Sequence, residues 1–316
     1  MLDSLWRRSP PSTGLARVSV VVPLYNHATY IEAAIASILS QGSVVKEIIV
    51  IDDGSTDKSA IVMDVLARRD KRIVFTRQDN QGAHATLNAG LARCTGDLLA
   101  ILNSDDAYMP GRLNALAAAL DADAGAGIAA SGLQFMDGAG VAIANPWYVE
   151  ALAFHQAGAD LGGALINGNF LMTTSNLMIR RAAWDSIGPF AALRYVHDLD
   201  WLLRALALGH RIARLDQDLL RYRIHTRNTI SEEHSGVRVE WAITAAAYLT
   251  TLWDRPGAPP IAWDQAGAVQ SVLRHHALDR AVPLCMAYLR RHGAASLDRA
   301  PLLADSAFKT ILKEWV

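Results

Sequence analysis

Two groups of acidic residues draw attention for the chemistry they could perform together, Asp52-Asp53 and Asn103-Ser104-Asp105-Asp106. Carboxylates this close repel one another unless they are solvated, hydrogen-bonded or neutralised by a cation, and hard oxygen ligands of this kind suit Mg²⁺ or Mn²⁺. Each group directly follows a β-branched apolar run, EIIVID at 47–52 and DLLAIL at 97–102. In a parallel sheet both groups then emerge at the same carboxyl edge, where open α/β sheets bind ligands. An Asp after a strand is also an ordinary turn or helix-cap residue, but two groups in step with the sheet period favour the cation reading. A third acidic pair, Asp198 and Asp200, opens a helical segment. There a carboxylate can favour the helix N-terminus, or it can accept a proton.

These acids need elements to hold them. The runs at 18–23, 47–52, 72–77 and 97–102 are nearly all apolar, as strands buried on both faces should be. Helical-period segments alternate with them: Tyr30, Ile31, Ala34, Ile35, Ile38 and Leu39 form one stripe, and Gly42 stops it. Ser55 and Thr56 are expected to cap the second helix, and Asp79 to Gly82 to form the loop before the third. Pro110 opens a helix through Leu113 to Leu120, and MDGAG marks a hairpin. Residues 146–170 have weak periodicity and read as a loop region, facing substrate or simply the surface. A strand at 174–180, a helix starting near Asp198 and strands near 211–223 complete an α/β domain. Helices follow at 237–252, 264–280, 281–292 and 302–315. The expected architecture is a mixed, mainly parallel sheet flanked by helices, with a C-terminal helical extension. Its divisions are a loose leader at 1–17, a catalytic domain at 18–233 and a helical region at 234–316.

Composition narrows the function. With 30 Lys and Arg against 31 Asp and Glu, the net charge is −1, which argues against a nucleic-acid partner. A hydrophobic fraction of 51% argues against disorder. Two cysteines, Cys94 and Cys285, make neither a disulfide framework nor a zinc spacing and imply a reducing compartment; Cys94 reads as buried and inert. No signal-peptide apolar core follows the N-terminal arginines, and the apolar stretch Trp241 to Trp253 has 13 residues, too few to cross a bilayer. The expectation is a cytoplasmic protein, soluble or peripheral at the inner face of the membrane. The Trp241 and Trp253 stripe suits core packing, homo-oligomer contacts through the C-terminal helices, or shallow membrane contact. His275 and His276 are adjacent on a helix, share no face and make a poor metal site.

Six ordered segments carry a resemblance: VSVVVPLYN (18–26), VIDDGSTD (50–57), NQGAHATLNAGL (80–91), LNSDDAYMPGRL (102–113), IGPFAALRYVHDLDWLLRAL (187–206) and YRIHTRNTIS (222–231). Together they resemble the inverting family-2 glycosyltransferases, which have the Rossmann-like GT-A fold, over roughly residues 18–231. The resemblance implies transfer of a sugar from a nucleoside-diphosphate donor, UDP-sugars first, to a hydroxyl of a saccharide or lipid-linked glycan, in bacterial surface-polysaccharide assembly. It places Pro23, Tyr25 and Asp53 at the base, Asn88 near the sugar, and Asn103 and Ser104 at the ribose side of a DxD-like motif. A Mn²⁺ or Mg²⁺ ion would fall to Asp105 with Asp106, completed by His225. Asp198 would be the base, with Asp200 its rival, and Asn169, Thr174, Ser175 and His197 would border the acceptor. The chain departs from the family pattern at Asn103, at His197 and at Leu87, where an Arg is usual; Arg112 is a candidate substitute for that missing charge.

Two other readings stand beside this one. A sugar nucleotidyltransferase would need a glycine-rich phosphate loop after the first strand, where this chain has VVPLYNH. A non-catalytic nucleotide-sugar-binding or assembly module of the same fold is the second alternative, kept open by the departures at Asn103 and His197.

Overall fold

The computed structural model describes residues 17–226, 228, 234–254, 263–292 and 299–316, so the leader expected at 1–17 lies outside the described residues except for Arg17. Four strands run parallel in the order β3-β2-β1-β4: β1 (Val18–Leu24), β2 (Val45–Asp53), β3 (Ile73–Gln78) and β4 (Leu98–Ile101). The centres of β1, β2 and β4 are buried, as strands covered on both faces should be, whereas β3 at the sheet edge leaves Val74 exposed. Beyond β4 the sheet turns mixed. The strand β8 (Met178–Arg180) pairs antiparallel with β4 and with β6 (Ala126–Met136). Next to β6 runs β9 (Arg211–Arg223), parallel to it, and the short β5 (Ala107–Tyr108) closes the edge against β9. The expected hairpin forms where β6 pairs with β7 (Ala142–Ile143), with Asp137 Oδ1 accepting from the Ala139 and Val141 amides.

The helices of this sheet unit are α1 (Ile31–Leu39), α2 (Ser59–Arg69), α3 (Ala83–Arg93) and α4 (Arg112–Ala122), with α7 (Arg181–Ile187) further along the chain. At Gly90 the helix α3 lies so close to β1 that a Cβ would collide with Val21. Strand register then sets the functional edge: Leu24 pairs with Asp52 and Val21 with Ile101, while the Leu102 amide donates to the Val21 carbonyl. The ends of β1, β2 and β4 therefore deliver their following residues side by side.

A second compact unit gathers residues 145–170, 193–209 and 226–316, and among the described residues its elements are helices: α5 (Pro146–Gln156), α6 (Leu161–Asn167), α8 (His197–Ala207), α9 (His234–Asp254), α10 (Trp263–His275), α11 (Ala281–Arg291), α12 (Ala300–Ala304) and α13 (Ser306–Lys313). The units are thus interleaved in sequence, and two stretches within 18–233 cluster with the C-terminal helices. In this unit α9 packs against α8, α11 and α13, burying Ala242, Ile243, Ala245, Ala246 and Leu249. Its apolar run is a core helix, and the Trp241 ring, its indole nitrogen buried, lies 4.7 Å from the His276 ring.

Four expectations change. Residues 146–170 form two helices, each started by a side-chain cap: Asn145 accepts from the Tyr148 amide, and Asp160 from the Gly163 amide. The segment at 174–180 is a 3₁₀ turn (Thr174–Asn176) followed by the short β8. Helix 302–315 is divided by Asp305, which caps α13 by accepting from the Phe308 amide. Neither Ser55 nor Thr56 caps α2. Ser55 Oγ accepts from the Asn26 amide and the Thr56 amide donates to Asn26 Oδ1, so both lie in a seam between two loops.

Candidate active site

That seam builds the first part of the site. Asn26 adopts φ 53, a left-handed conformation that asparagine tolerates. Its Oδ1 accepts from Thr56 and Asp57, while the amides of His27 and Ala28 donate to Ser59 Oγ and Asp57 Oδ2. The loop after β1 is thereby stitched to the loop after β2, leaving Tyr25 about half exposed, at 48%. Asp53 is buried, with Oδ1 accepting from Gln78 Nε2 and the Gln81 amide and Oδ2 from the Gly82 amide. It holds the loop ahead of α3, and a carboxylate with about four lone-pair sites keeps capacity for one more N–H.

The segment after β4 is held from two sides. The Asn103 side chain donates to Thr173 Oγ1 and accepts from Thr174 Oγ1, and its amide donates to Ser175 Oγ. Thr174 and Ser175 are therefore buried struts of this loop. Asp106 is no better placed as a cation ligand. Its Oδ2 accepts from Ser175 Oγ and its Oδ1 from the Arg223 amide, and burial followed by the neighbouring Asp105 drives its carboxyl well above the usual range. Ser104 is 2% exposed and meets the His27 ring, Oγ to Nδ1 2.8 Å, so it supports a histidine and has little surface to offer a donor.

Asp105 and His225 do meet, Oδ2 to Nε2 3.0 Å, with their side chains 12% and 9% exposed. His27 joins them: one ligand atom from each of His27, Asp105 and His225 lies within 4.8 Å of the others. Small side-chain rotations would close that span around a cation with bonds of about 2.1 Å, so this donor set fits a divalent metal. Tyr30 packs beside both imidazoles, at 5.7 Å from His27 and 5.4 Å from His225, and the Arg223 guanidinium lies 4.6 Å over its ring. The Arg223 Nε–H also donates to the Asp105 carbonyl. The sequence does not single out His27 or Arg223, and it places Tyr30 only in the apolar stripe of the first helix. The signal for His27 was its position, since it follows a strand that ends at the same edge as the acids.

Two other candidates act structurally. Asn88 spends its amide on the Phe190 backbone, donating to the carbonyl at 2.9 Å and accepting from the amide at 2.8 Å, which fixes the Gly188-Pro189-Phe190 turn on α3. Arg112 is 1% exposed, donates to Ser131 Oγ and to the Asn176 backbone and side-chain oxygens, and lies over the Tyr108 ring. Burial lowers its pKa to about 10. It braces the sheet and cannot replace the arginine missing at Leu87.

In the helical unit, Asp198 and Asp200 are sharply divided. Asp200 is buried between Arg299 (2.6 Å) and Arg204 (3.2 Å), and burial still raises its pKa. Asp198 accepts from the Leu199 amide at Oδ1 and from Asn169 Nδ2 at Oδ2, and burial pushes its carboxyl up to about 6. The Asn169 Oδ1 is buried with no hydrogen-bond partner among the described residues. His197 begins α8 beside this pair. The turn leading into α8 is clamped from α9: Glu240 accepts from the amides of Arg194, Tyr195 and Val196 at 2.9, 2.8 and 3.2 Å.

Sheet order, edge loops and acid placement together define a GT-A glycosyltransferase fold. The chain belongs to the family described as Glycosyl transferase family 2, whose profile matches residues 19–188, just over half of its length. It is 29% identical over 219 residues to an uncharacterized glycosyltransferase of Nostoc sp., covering 67% of this chain and 66% of that relative. The chain thus spans a little under two thirds of that relative's length. Among solved structures it resembles S. aureus TarS 1-349 in complex with UDP-GlcNAc, at TM-score 0.57 and 18% identity over 94% of this chain and 90% of that one. The mannosyltransferase PcManGT from Pyrobaculum calidifontis, in complex with GDP-Man and Mn²⁺, gives TM-score 0.57 and 18% identity over 99% and 90%. Among the described residues no helix is long and apolar enough to cross a membrane.

Proposed function

We propose that this chain transfers one sugar, with inversion, from a nucleoside-diphosphate sugar to a hydroxyl of a saccharide or lipid-linked acceptor. The observation that carries the reading is the Asp198–Asn169 pair: a carboxyl raised to about 6, held by two donors, beside a buried amide oxygen that lacks a partner. A base with a pKa just below the working pH is both deprotonated and a competent proton acceptor. The orphaned Asn169 oxygen suits a hydroxyl or amide donor on a substrate, since buried polar atoms in native proteins are almost always paired.

In this mechanism the acceptor hydroxyl gives its proton to Asp198 as its oxygen bonds to the anomeric carbon, and the bond from that carbon to the diphosphate oxygen breaks on the opposite face. Pro23, Tyr25 and Asp53 receive the base, and Asn103 directs the loop that carries Asp105. Asp105 and His225 would hold a divalent cation, which when bound would supply charge stabilisation for the departing nucleoside diphosphate. The neighbouring structures hold UDP-GlcNAc and GDP-Man with Mn²⁺, which supports a nucleotide-sugar donor for this chain and leaves its base and sugar to experiment.

The test is nucleotide release from a panel of UDP-, GDP- and dTDP-sugars, with and without Mn²⁺ or Mg²⁺, alongside thermal shifts for each ligand. One donor that stabilises the protein and is turned over only with metal supports the reading. Silence across every donor and metal would favour a non-catalytic module of the same fold.

A further inference from the structure

Two of the three donors gathered at the sheet edge are imidazoles. His27 arrives on the loop after β1, Asp105 on the loop after β4 and His225 just past β9, all in the sheet unit. Hydrogen bonds within the protein position each of them. The His27 amide donates to Ser59 Oγ and its Nδ1 meets Ser104 Oγ, while His225 Nε2 meets Asp105 Oδ2. Metal-binding histidines characteristically have the second ring nitrogen held by a hydrogen bond, which fixes tautomer and ring orientation. Ser104 does this for His27, which assigns the ligand role to Nε2. Asp106 stays out of the set because both its oxygens are engaged within the protein.

We infer that His27 is a third protein ligand, making a two-histidine, one-carboxylate site selective for a first-row transition dication such as Mn²⁺ over Mg²⁺. The chemistry follows from ligand type. Mg²⁺ prefers oxygen donors and gives up its waters reluctantly, whereas imidazole nitrogen favours the transition dications along the Irving–Williams order. The inference rests on the proposal that this family member carries its cation at Asp105 and His225, and adds to it a residue and a preference.

Mn²⁺ itself is the probe, bound to the full chain alone and with UDP or GDP added, and read by pulsed electron paramagnetic resonance. The expected wild-type spectrum shows nitrogen couplings from two imidazoles, and both His27→Gln and His225→Gln reduce them to one. Titration with Mn²⁺ should show His27→Gln weakening binding by about 10-fold or more, with a smaller change for Mg²⁺. A second variant, His27→Asn, keeps a polar group near Ser104 and guards against misfolding, which circular dichroism and melting without metal would reveal. Two results overturn the inference: one coupling in wild type that His27→Gln leaves intact, or no nitrogen coupling under any condition. Turnover is not the readout. A failed transferase assay would strike the proposed reaction and leave the ligand count standing, while a single coupling would strike His27 and leave the reaction standing.

Discussion

Asp198 and Asp200 stand two positions apart on one helix, yet their surroundings assign them opposite work. Two guanidiniums engage Asp200, whereas Asp198 has only neutral donors and a carboxyl raised by burial to about 6. If Asp198 must be ionised to accept a proton, kcat should climb as pH rises through about 6 and level off above it. Stability should show the opposite sign. A folded pKa above the unfolded one means the native state binds more protons between them, so this group costs stability above pH 6, and the cost fades as pH falls towards its unfolded value. Asp198→Asn should therefore melt higher than wild type at pH 8, with the gap shrinking by pH 4.5, as measured by calorimetry across pH. Removing Asp106 should act differently, because it leaves the Ser175 hydroxyl and the Arg223 amide without their acceptor. Asp106→Ala should cost about 2–4 kcal/mol by denaturant unfolding. Sequence spacing located these acids at the sheet edge and the helix start. It could not separate Asp105 from Asp106, or Asp198 from Asp200, because partners decide the roles and those partners lie up to 120 positions away for Asp105 and Asp106 and 99 for Asp200.

At the scale of elements, strand periodicity was the clearest signal: all four parallel strands lie within two residues of their expected ends. Helix α5 was hidden because Trp147, Val149 and Phe154 remain exposed, at 45, 63 and 37%, so the apolar pattern makes no single stripe, and α6 because it is only seven residues long with two glycines. Their caps, Asn145 and Asp160, were the readable signs. Packing of α3 on β1 leaves no room at Gly90, and Gly90→Val should destabilise the fold by about 1–3 kcal/mol, measured by urea titration. The Glu240 clamp on the turn before α8 has a different signature. Glu240→Ala would strand three amides, lower stability by about 1–3 kcal/mol and lower kcat, while donor affinity measured by calorimetric titration stays near wild type. Glu240→Asp should recover part of both losses.

Across the whole molecule, chain order and structural grouping part company. The segment bearing Asp198 lies within the stretch that resembles the family, yet it packs with the C-terminal helices, α8 against α9. Local patterning could not reveal this, since contacts between residues 193–209 and 234–254 depend on which buried faces meet. A chain ending at residue 233 would lose α9 and with it the packing on α8, and should aggregate or lose turnover even though every motif remains; gel filtration and nucleotide release would show it. The central claim is that Asp198 removes the acceptor proton and contributes little to holding the donor. Its most direct test is Asp198→Asn, with donor binding and sugar transfer measured on the same preparation. The account predicts donor affinity close to wild type with transfer reduced by about 10²-fold or more. Transfer at the wild-type rate, or loss of donor binding along with transfer, would contradict it.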